Sequence, residues 1–236
     1  MREEEDDDRR RRCASRSVRK RPTARPRARF ARMVLGWLLD RFRRPAPHSA
    51  AREIGALVSC MVAWRRACLE TYLQDATGTV EDLGEELEAL REYVHELGGV
   101  DPFTTYVLDV PIGALDEGLL LGATWRIETA GAIAWGLGLL DRIQPVEERT
   151  DVALLSDYFP FQASPSRSFA AAVLRDRSQI LAERDRWRAI EMHTRRHRDA
   201  RPNEPEVAFA FSRAFERARG LTWMASDARW VEDVDG

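Results

Sequence analysis

The stretch TWRIETAGAIAWGLGLLDRI, residues 124–143, decides how this chain folds. It is mostly apolar, yet Arg126 and Glu128 stand two positions apart near its start. On an α-helix such residues are separated by about 200°, so the two charges do not face each other. Because an unpaired charge in a packed core is very costly, each of these side chains needs a partner. The stretch therefore predicts a core helix whose two charges are paired elsewhere in the chain.

A second apolar segment, EVAFAFSRAFERARGLTWMA at residues 206–225, carries the matching charges Glu216 and Arg217. The simplest arrangement pairs Arg126 with Glu216 across two helices. It likewise pairs Glu128 with Arg217. Two alternatives stay open: the charges lie in solvated first turns, or they form a ligand-binding or catalytic site. Structural ion pairs and active sites look the same in a sequence.

Apolar residues recur at helical spacing through most of the chain after residue 50. We therefore predict a mainly α fold, a single-domain multi-helix bundle over residues 46–236. Thr79 and Asp82 resemble a capping box that opens one of its helices. The helices besides the two already described are expected at residues 51–74, 80–99, 151–159 and 175–199, with another starting at 168–174.

Two segments in the middle of the chain have a different pattern. Residues 101–113, DPFTTYVLDVPIG, are rich in β-branched and aromatic residues between two prolines, which favours one strand or an extended loop. Residues 114–122, ALDEGLLLG, then predict a short helix of their own. The helix of the opening stretch is expected to end near Ile143, before Pro145.

The first 45 residues differ from the rest of the chain in charge and complexity. Residues 1–44 hold 16 Arg or Lys against 7 Asp or Glu, whereas the remainder holds 21 against 32. An acidic block followed by an arginine block has almost nothing to bury, so we predict that residues 1–45 form a disordered, charged tail. Within it, FARMVLGWLLDRF at 30–42 predicts a short amphipathic helix. Nucleic acid and an anionic membrane surface are minor candidate partners of this tail.

The cysteines and the apolar runs bear on the cellular compartment. Cys13, Cys60 and Cys68 are too few and too irregularly spaced for a disulfide framework or a zinc site. No uncharged run approaches the roughly 20 residues of a membrane-spanning helix. The run MVLGWLL at 33–39 lies behind a long charged segment, unlike the apolar part of a signal peptide. These features together predict a cytoplasmic protein.

Four motifs follow one another in the second half of the chain: TWRIETAGAIAWGLGLLD (124–141), LRDRSQIL (174–181), FERARGLTWM (215–224) and WVEDVDG (230–236). In order and spacing they resemble the signature of a bacterial family called domain of unknown function 4272, over about residues 115–236 and more weakly over residues 50–98. The resemblance implies a helical fold and brings no assigned chemistry. The aromatic positions of these motifs are Trp125, Trp135, Trp223 and Trp230.

The chain departs from these family motifs where the family has histidine. Ala218 stands in place of the His of a Glu-Arg-His motif, and Thr222 in place of the following Asn. Glu191 and Met192 stand where the family has His-Trp. If the family has a His-dependent activity, this member has lost those histidines.

Two further motifs are poor matches to cofactor or metal sites. GAIAWGLG at 131–138 contains Gly-x-Gly but follows no strand, and its small residues up to Gly138 favour close helix packing instead. His193 and His197 stand four apart, but the arginines around them repel a cation and the Glu of a zinc-protease motif is absent. We therefore expect no cofactor and no metal.

Two hypotheses for the function follow. The first, which we favour, is a non-enzymatic protein-interaction or regulatory module, whose acidic body receives a basic protein partner. The second is an enzyme acting on an anionic small substrate. Glu128 or Glu216 would be its acid or base, and Arg126 or Arg217 its anion clamp. A solvent-open cleft joining the four charged residues favours the enzyme. A sealed and fully paired network favours the module.

Overall fold

The chain is described here by a computed structural model that covers residues 50–97, 100–155, 169 and 172–234. The prediction of a mainly α bundle is confirmed, because these residues form seven α-helices and contain no strand. The predicted tail at 1–45, its helix at 30–42, and part of the helix start at 168–174 lie outside the described residues. The elements are α1 (Ala50–Gln74), α2 (Val80–Leu97), α3 (Pro102–Asp109), α4 (Glu117–Gly136), α5 (Val152–Leu155), α6 (Arg177–Ala200), α7 (Pro205–Met224) and a 3-10 helix (Val231–Asp233).

The helices are arranged in series, with α4 in the middle. One side of α4 packs along α1 and another along α7, while α6 packs on the far side of α7. The helices α2 and α3 pack on α1, so α2 and α6 form opposite edges of the series. Since α4 is covered on several sides, its residues from Trp125 to Ala134 are all buried, charged ones included. The position of α4 is thus the reason that its charged side chains lie in the core.

The apolar core joins these long helices. Its larger part contains Leu57 and Met61 of α1 together with Ile133 of α4 and Trp223 of α7, all at most 1% exposed. A smaller part joins Trp187 of α6 to Ala214, Ala218 and Leu221 of α7 and to Ala132 of α4. Full burial of each such side chain contributes about 1.5–3 kcal/mol to folding.

The segment at 101–113 contradicts the prediction of a strand or an extended loop, because it contains the helix α3. Asp101 caps this helix: its carboxylate accepts the Thr104 N–H at 2.9 Å and the Thr104 hydroxyl at 2.6 Å. Pro102 occupies the first turn, where its fixed φ favours a helix and its missing N–H costs nothing. These two local signals outweigh the β-branched composition.

The middle helix also differs from its predicted bounds. The segment 114–122 is not a separate helix, because α4 runs unbroken from Glu117, where Asp116 caps it, to Gly136. It ends seven residues before Ile143 in a Schellman motif: the Leu139 N–H donates to the Ala134 carbonyl and the Gly138 N–H to the Trp135 carbonyl. Gly138 has φ of +67°, so its role is to end the helix rather than to allow helix packing.

Several predicted features agree with the structure. Half of the capping box predicted at the start of α2 is present, since the Asp82 N–H donates to the Thr79 hydroxyl at 3.2 Å. The Asp82 carboxylate accepts the Thr79 hydroxyl at 2.8 Å in place of the main-chain N–H. The bounds of α1, α6 and α7 lie within about two residues of those predicted, which is the usual uncertainty of helix ends. In the described part of the chain, no helix combines the length and the hydropathy that a bilayer crossing requires.

Candidate functional site

The predicted pair of Glu128 and Arg217 is confirmed, and both side chains are fully buried between α4 and α7. Arg217 donates its Nε–H at 3.0 Å and an Nη2–H at 2.7 Å to the same carboxylate oxygen, Oε2. The guanidinium carbon also lies 4.9 Å from the ring centre of Trp187, which covers one face of the cation. Burial lowers the pKa of Arg217 from its ordinary value, and the Glu128 carboxylate opposes this effect.

The remaining hydrogen bonds of this pair hold the loop between α4 and α5. Arg217 Nη1 donates to the carbonyls of Gln144 and Pro145 at 2.7 and 3.0 Å, and Nη2 donates to the carbonyl of Glu148 at 2.8 Å. Every N–H-bearing atom of Arg217 therefore has an acceptor. From the same loop, the N–H and the hydroxyl of Thr150 donate to Glu128, the hydroxyl at 2.8 Å.

The predicted pair of Arg126 and Glu216 is wrong. Arg126 instead pairs through Nη2 with Glu232 of the C-terminal 3-10 helix, and its guanidinium carbon lies 4.5 Å from the ring centre of Phe103. Glu216 accepts the Arg219 Nη2–H at 2.6 Å, one helical turn further along α7. Arg219 lies only three residues from Glu216 on the same helix and pairs with it. Arg126 therefore pairs with a different carboxylate, that of Glu232 in the C-terminal segment.

The carboxylate of Glu216 also joins α7 to α4. Its Oε2 accepts the Thr129 hydroxyl at 2.7 Å, and the same hydroxyl lies 3.3 Å from the main-chain carbonyl of Glu216. The two helices approach closely here, and Gly220 permits this: a Cβ added at Gly220 would lie only 3.2 Å from Thr129 Cγ2. Glu216 is consequently 8% exposed and has two hydrogen-bond donors within the protein.

Arg126 lies in a mixed cluster of charged and polar groups. Burial disfavours its charged form, but the Cys60 thiol and acidic groups such as Glu232 and Glu216 outweigh burial and raise the pKa of Arg126. The pKa of Glu232 is also raised, first by burial and then by the nearby Asp101. Nε and Nη1 of Arg126 are buried and have no hydrogen-bond acceptor among the residues that the structure describes. This pair is therefore less completely satisfied than the pair of Glu128 and Arg217.

A third buried Arg–Glu pair, which the sequence analysis missed, repeats the loop-holding arrangement. Arg66 and Glu70 of α1 pair at 2.6 Å, and Arg66 Nη2 also donates to the carbonyls of Val110 and Pro111. Glu70 in turn accepts the Gly113 N–H at 3.0 Å. The spacing of four residues inside an apolar helical run is the signal that could have identified this pair.

The four tryptophans of the family motifs lie in the bundle, and each has an arginine near its ring. Trp223 is 1% exposed, and the guanidinium carbon of Arg52 lies 4.0 Å from its ring centre. The arginine side chains cover the edges of the core with their cations over aromatic faces. The other three pairs are Trp125 with Arg149, Trp135 with Arg175 and Trp230 with Arg229.

The histidines that the sequence analysis weighed as metal ligands lie on the exposed side of α6. The rings of His193 and His197 have centres 4.4 Å apart and are tilted by 55°. Across the part of the chain that the structure describes, no three His, Cys, Asp or Glu side chains form a group that could hold a metal ion. Ala218 and Thr222, which stand where the family motif has His and Asn, lie on α7, and the Thr222 hydroxyl donates to the Ala218 carbonyl.

The fold and the site together define a helical protein whose central helix is fixed by buried Arg–Glu pairs that also hold loops. The family model for Domain of unknown function (DUF4272) matches residues 61–233. The chain therefore belongs to this family. The match includes most of α1 and all of α2, where the sequence resemblance was weaker. No curated protein and no solved structure matches the chain.

Proposed function

We propose that this domain is a non-enzymatic protein-interaction module, and that its charged core is structural. The observation that carries this proposal is the burial of the four predicted charged residues. Each of them is at most 8% exposed, and each is held by side chains or carbonyls of the same chain. Those residues are Arg126, Glu128, Glu216 and Arg217.

The alternative, an enzyme acting on an anionic small substrate, receives less support from this geometry. A general acid or base must come within hydrogen-bond reach of the substrate proton. Glu128 is 0% exposed, and its carboxylate accepts hydrogen bonds from Arg217 and Thr150. As an anion clamp, Arg217 has no free donor, because every donor atom is engaged. Arg126 has two nitrogens without an acceptor among the described residues, but it is only 3% exposed, so a substrate in solution does not reach them.

The exposed face of α6 is the surface that we assign to the partner. Arg188, Met192 and Arg196 stand at intervals of four and share one exposed face, with Met192 55% exposed. The neighbouring Arg195 pairs with Glu191. Arg188 and Arg196, by contrast, form no ion pair with any residue in the described ranges. On the partner, acidic side chains would pair with the two arginines, and an apolar side chain would pack on Met192.

The acidic edge α2 is the competing surface, and net charge alone favours a basic partner there. Interface composition decides for α6, because Met and Arg are enriched at protein interfaces whereas Glu and Asp are depleted. Arginine is also among the residues whose loss costs most in binding. The cytoplasm is the compartment that we propose, and the free thiols of Cys60 and Cys68 support it.

Site-specific photocrosslinking tests this function in living cells. A photoreactive amino acid replaces Met192 in one variant and Val80 in the matched control, since Val80 is 53% exposed and lies on the opposite edge. We expect a discrete crosslinked product at position 192, which the double change Arg188→Glu and Arg196→Glu removes. Equal products at the two positions, or a product that survives both charge reversals, would contradict the proposal.

A further inference from the structure

A cavity of about 240 Å³ opens between α1, α4 and the segment that leads into α5. Its walls are mainly apolar, and it lies on the side of α4 that faces α1. For comparison, a cavity of about 150 Å³ lined by apolar side chains holds benzene. The cavity is therefore large enough for a fused two-ring aromatic group. The apolar side chains that line it are Trp64, Ala67, Tyr72, Ile127 and Val152.

Three threonine hydroxyls also line the cavity, and each donates a hydrogen bond to another group of the protein. Thr71 donates to the Ala67 carbonyl at 3.3 Å, and Thr124 to the Leu120 carbonyl at 2.8 Å. Thr150 donates to Glu128 at 2.8 Å. A hydroxyl whose O–H is engaged as a donor still has lone pairs, so these oxygens can accept hydrogen bonds from a ligand.

One charged side chain stands among the lining residues, the guanidinium of Arg149. Arg149 is exposed at the rim, its guanidinium carbon lies 6.0 Å from the ring centre of Trp125, and no residue in the described part of the chain forms an ion pair with it. The Cys68 thiol beside it is neutral at ordinary pH, because burial raises its pKa to about 11. The rim of the cavity is thus positive, and its interior is neutral and largely apolar.

We propose that this cavity binds a small aromatic carboxylic acid. The ring lies inside, between the apolar side chains of α1 and α4, and the carboxylate lies at the rim on the guanidinium of Arg149. An N–H or O–H group on the ring finds acceptors in the threonine hydroxyls. The chemistry of the lining selects this class, because an arginine binds a carboxylate by paired, charge-assisted hydrogen bonds and an apolar cavity binds a ring.

The ligand site is distinct from the partner surface on α6, yet it adjoins the buried pair. Thr150 lines the cavity and donates both its N–H and its hydroxyl to Glu128. A ligand that contacts Thr150 therefore holds the loop that Arg217 also holds. Because it binds the folded state, it raises the thermal stability of the protein by an amount that grows with the logarithm of the ligand concentration above the dissociation constant.

Calorimetric titration with indole-3-acetate, and with neutral indole as the reference, tests the proposal. We expect saturable binding of both, with the carboxylate about tenfold tighter, because only the acid forms charge-assisted hydrogen bonds with the guanidinium; tenfold corresponds to about 1.4 kcal/mol. Arg149→Ala is expected to remove that preference. Arg142→Ala, which changes an exposed arginine of the same loop outside the cavity, is expected to leave it unchanged.

A cavity-filling variant separates this site from surface binding. Thr124 is partly exposed on α4, so Thr124→Phe fills the cavity without opening the core, and its melting temperature is recorded first. We expect this variant to lose both ligands, and we expect indole-3-acetate to slow alkylation of Cys68 in the unmodified protein severalfold. The absence of saturable binding, an unchanged affinity in Thr124→Phe, or equal affinities for the acid and for indole would each overturn the proposal.

Discussion

Arg217 and Glu128 form a fully buried pair in which the guanidinium also donates to three main-chain carbonyls of one loop. A buried ion pair by itself contributes little to stability, because the desolvation of two charges offsets their attraction. This pair differs because Arg217 also satisfies the carbonyls of Gln144, Pro145 and Glu148. The pair therefore fixes the path of the loop as well as the contact between α4 and α7.

The first prediction concerns the shape of the cation rather than its charge. Arg217→Lys keeps one positive charge but cannot reach Glu128 and three carbonyls at once, because an ammonium lacks the planar, multidentate geometry of a guanidinium. We expect a loss of about 3 kcal/mol in the free energy of unfolding, measured by urea denaturation. Arg186→Lys on the exposed surface of α6 is the control, and a similar loss in both variants would contradict the prediction.

The second prediction separates the two possible partners of Arg126. Double-mutant cycles with alanine are expected to give a coupling of about 1–3 kcal/mol between Arg126 and Glu232. The cycle of Arg126 with Glu216 is expected to give a smaller value, since Glu216 is held by Thr129 and Arg219. Urea unfolding of the single and double variants measures both couplings. A larger coupling to Glu216 would show that the C-terminal segment is not the main partner of Arg126.

The third prediction compares two glycines in helices. A Cβ at Gly131 of α4 would lie 2.6 Å from the Thr150 hydroxyl, so Gly131→Ala must displace the residue that donates to Glu128. We expect this change to cost about 1–3 kcal/mol by overpacking. At Gly84 of α2 a Cβ meets nothing within 4 Å, and Gly84→Ala is expected to stabilise by about 0.5–1 kcal/mol. Melting curves of the two variants that shift in the same direction would refute this assignment.

The fourth prediction concerns pH and the buried Glu53 of α1. Burial raises the pKa of Glu53 from 4.5 to about 7, and its nearest cation, Arg52, lies 3.3 Å away and only partly compensates. A carboxyl whose pKa is higher in the folded state binds its proton more tightly there than in the unfolded chain. Stability is therefore lost as the pH rises from about 4.5 to about 7, and it is not lost further above that range.

The test is the melting temperature as a function of pH for Glu53→Gln, which cannot ionise. In the unmodified protein, the free energy of unfolding is expected to fall by up to about 3 kcal/mol across that range, since one pKa unit corresponds to about 1.4 kcal/mol. In Glu53→Gln this fall is expected to be absent. Glu85→Gln on the exposed face of α2 serves as the control. If Glu53→Gln retains the full pH dependence, another group is responsible for it.

The pairing of Glu128 with Arg217 could be predicted because a charge in an apolar helix needs a partner, and few candidates exist. The partner of Arg126 could not, because Glu232 lies in a short acidic segment after the last long helix. Nothing in the local pattern indicates that this segment folds back onto α4. The bonds from Arg217 to main-chain carbonyls could not be predicted either, because every residue type has a carbonyl and the sequence does not mark which ones will be acceptors.

The helices show the same division between local and distant causes. Periodicity located α1, α6 and α7, because an amphipathic face is a local property of the sequence. The composition of residues 101–113 was misleading, since the cap at Asp101 and the proline after it decide for a helix. The end of α4 depended on Gly138, whose positive φ ends the helix before its apolar run is finished.

The central claim is that the charged core of this domain is structural and not a catalytic site. A double-mutant cycle of Glu128→Ala and Arg217→Ala, followed by urea unfolding, tests it most directly. We expect each single change to cost about 3–5 kcal/mol, and the double change to cost clearly less than their sum, because each single change strands a buried charge. Near-native stability in all three variants would mean that the two side chains are not needed for folding, and it would contradict this account.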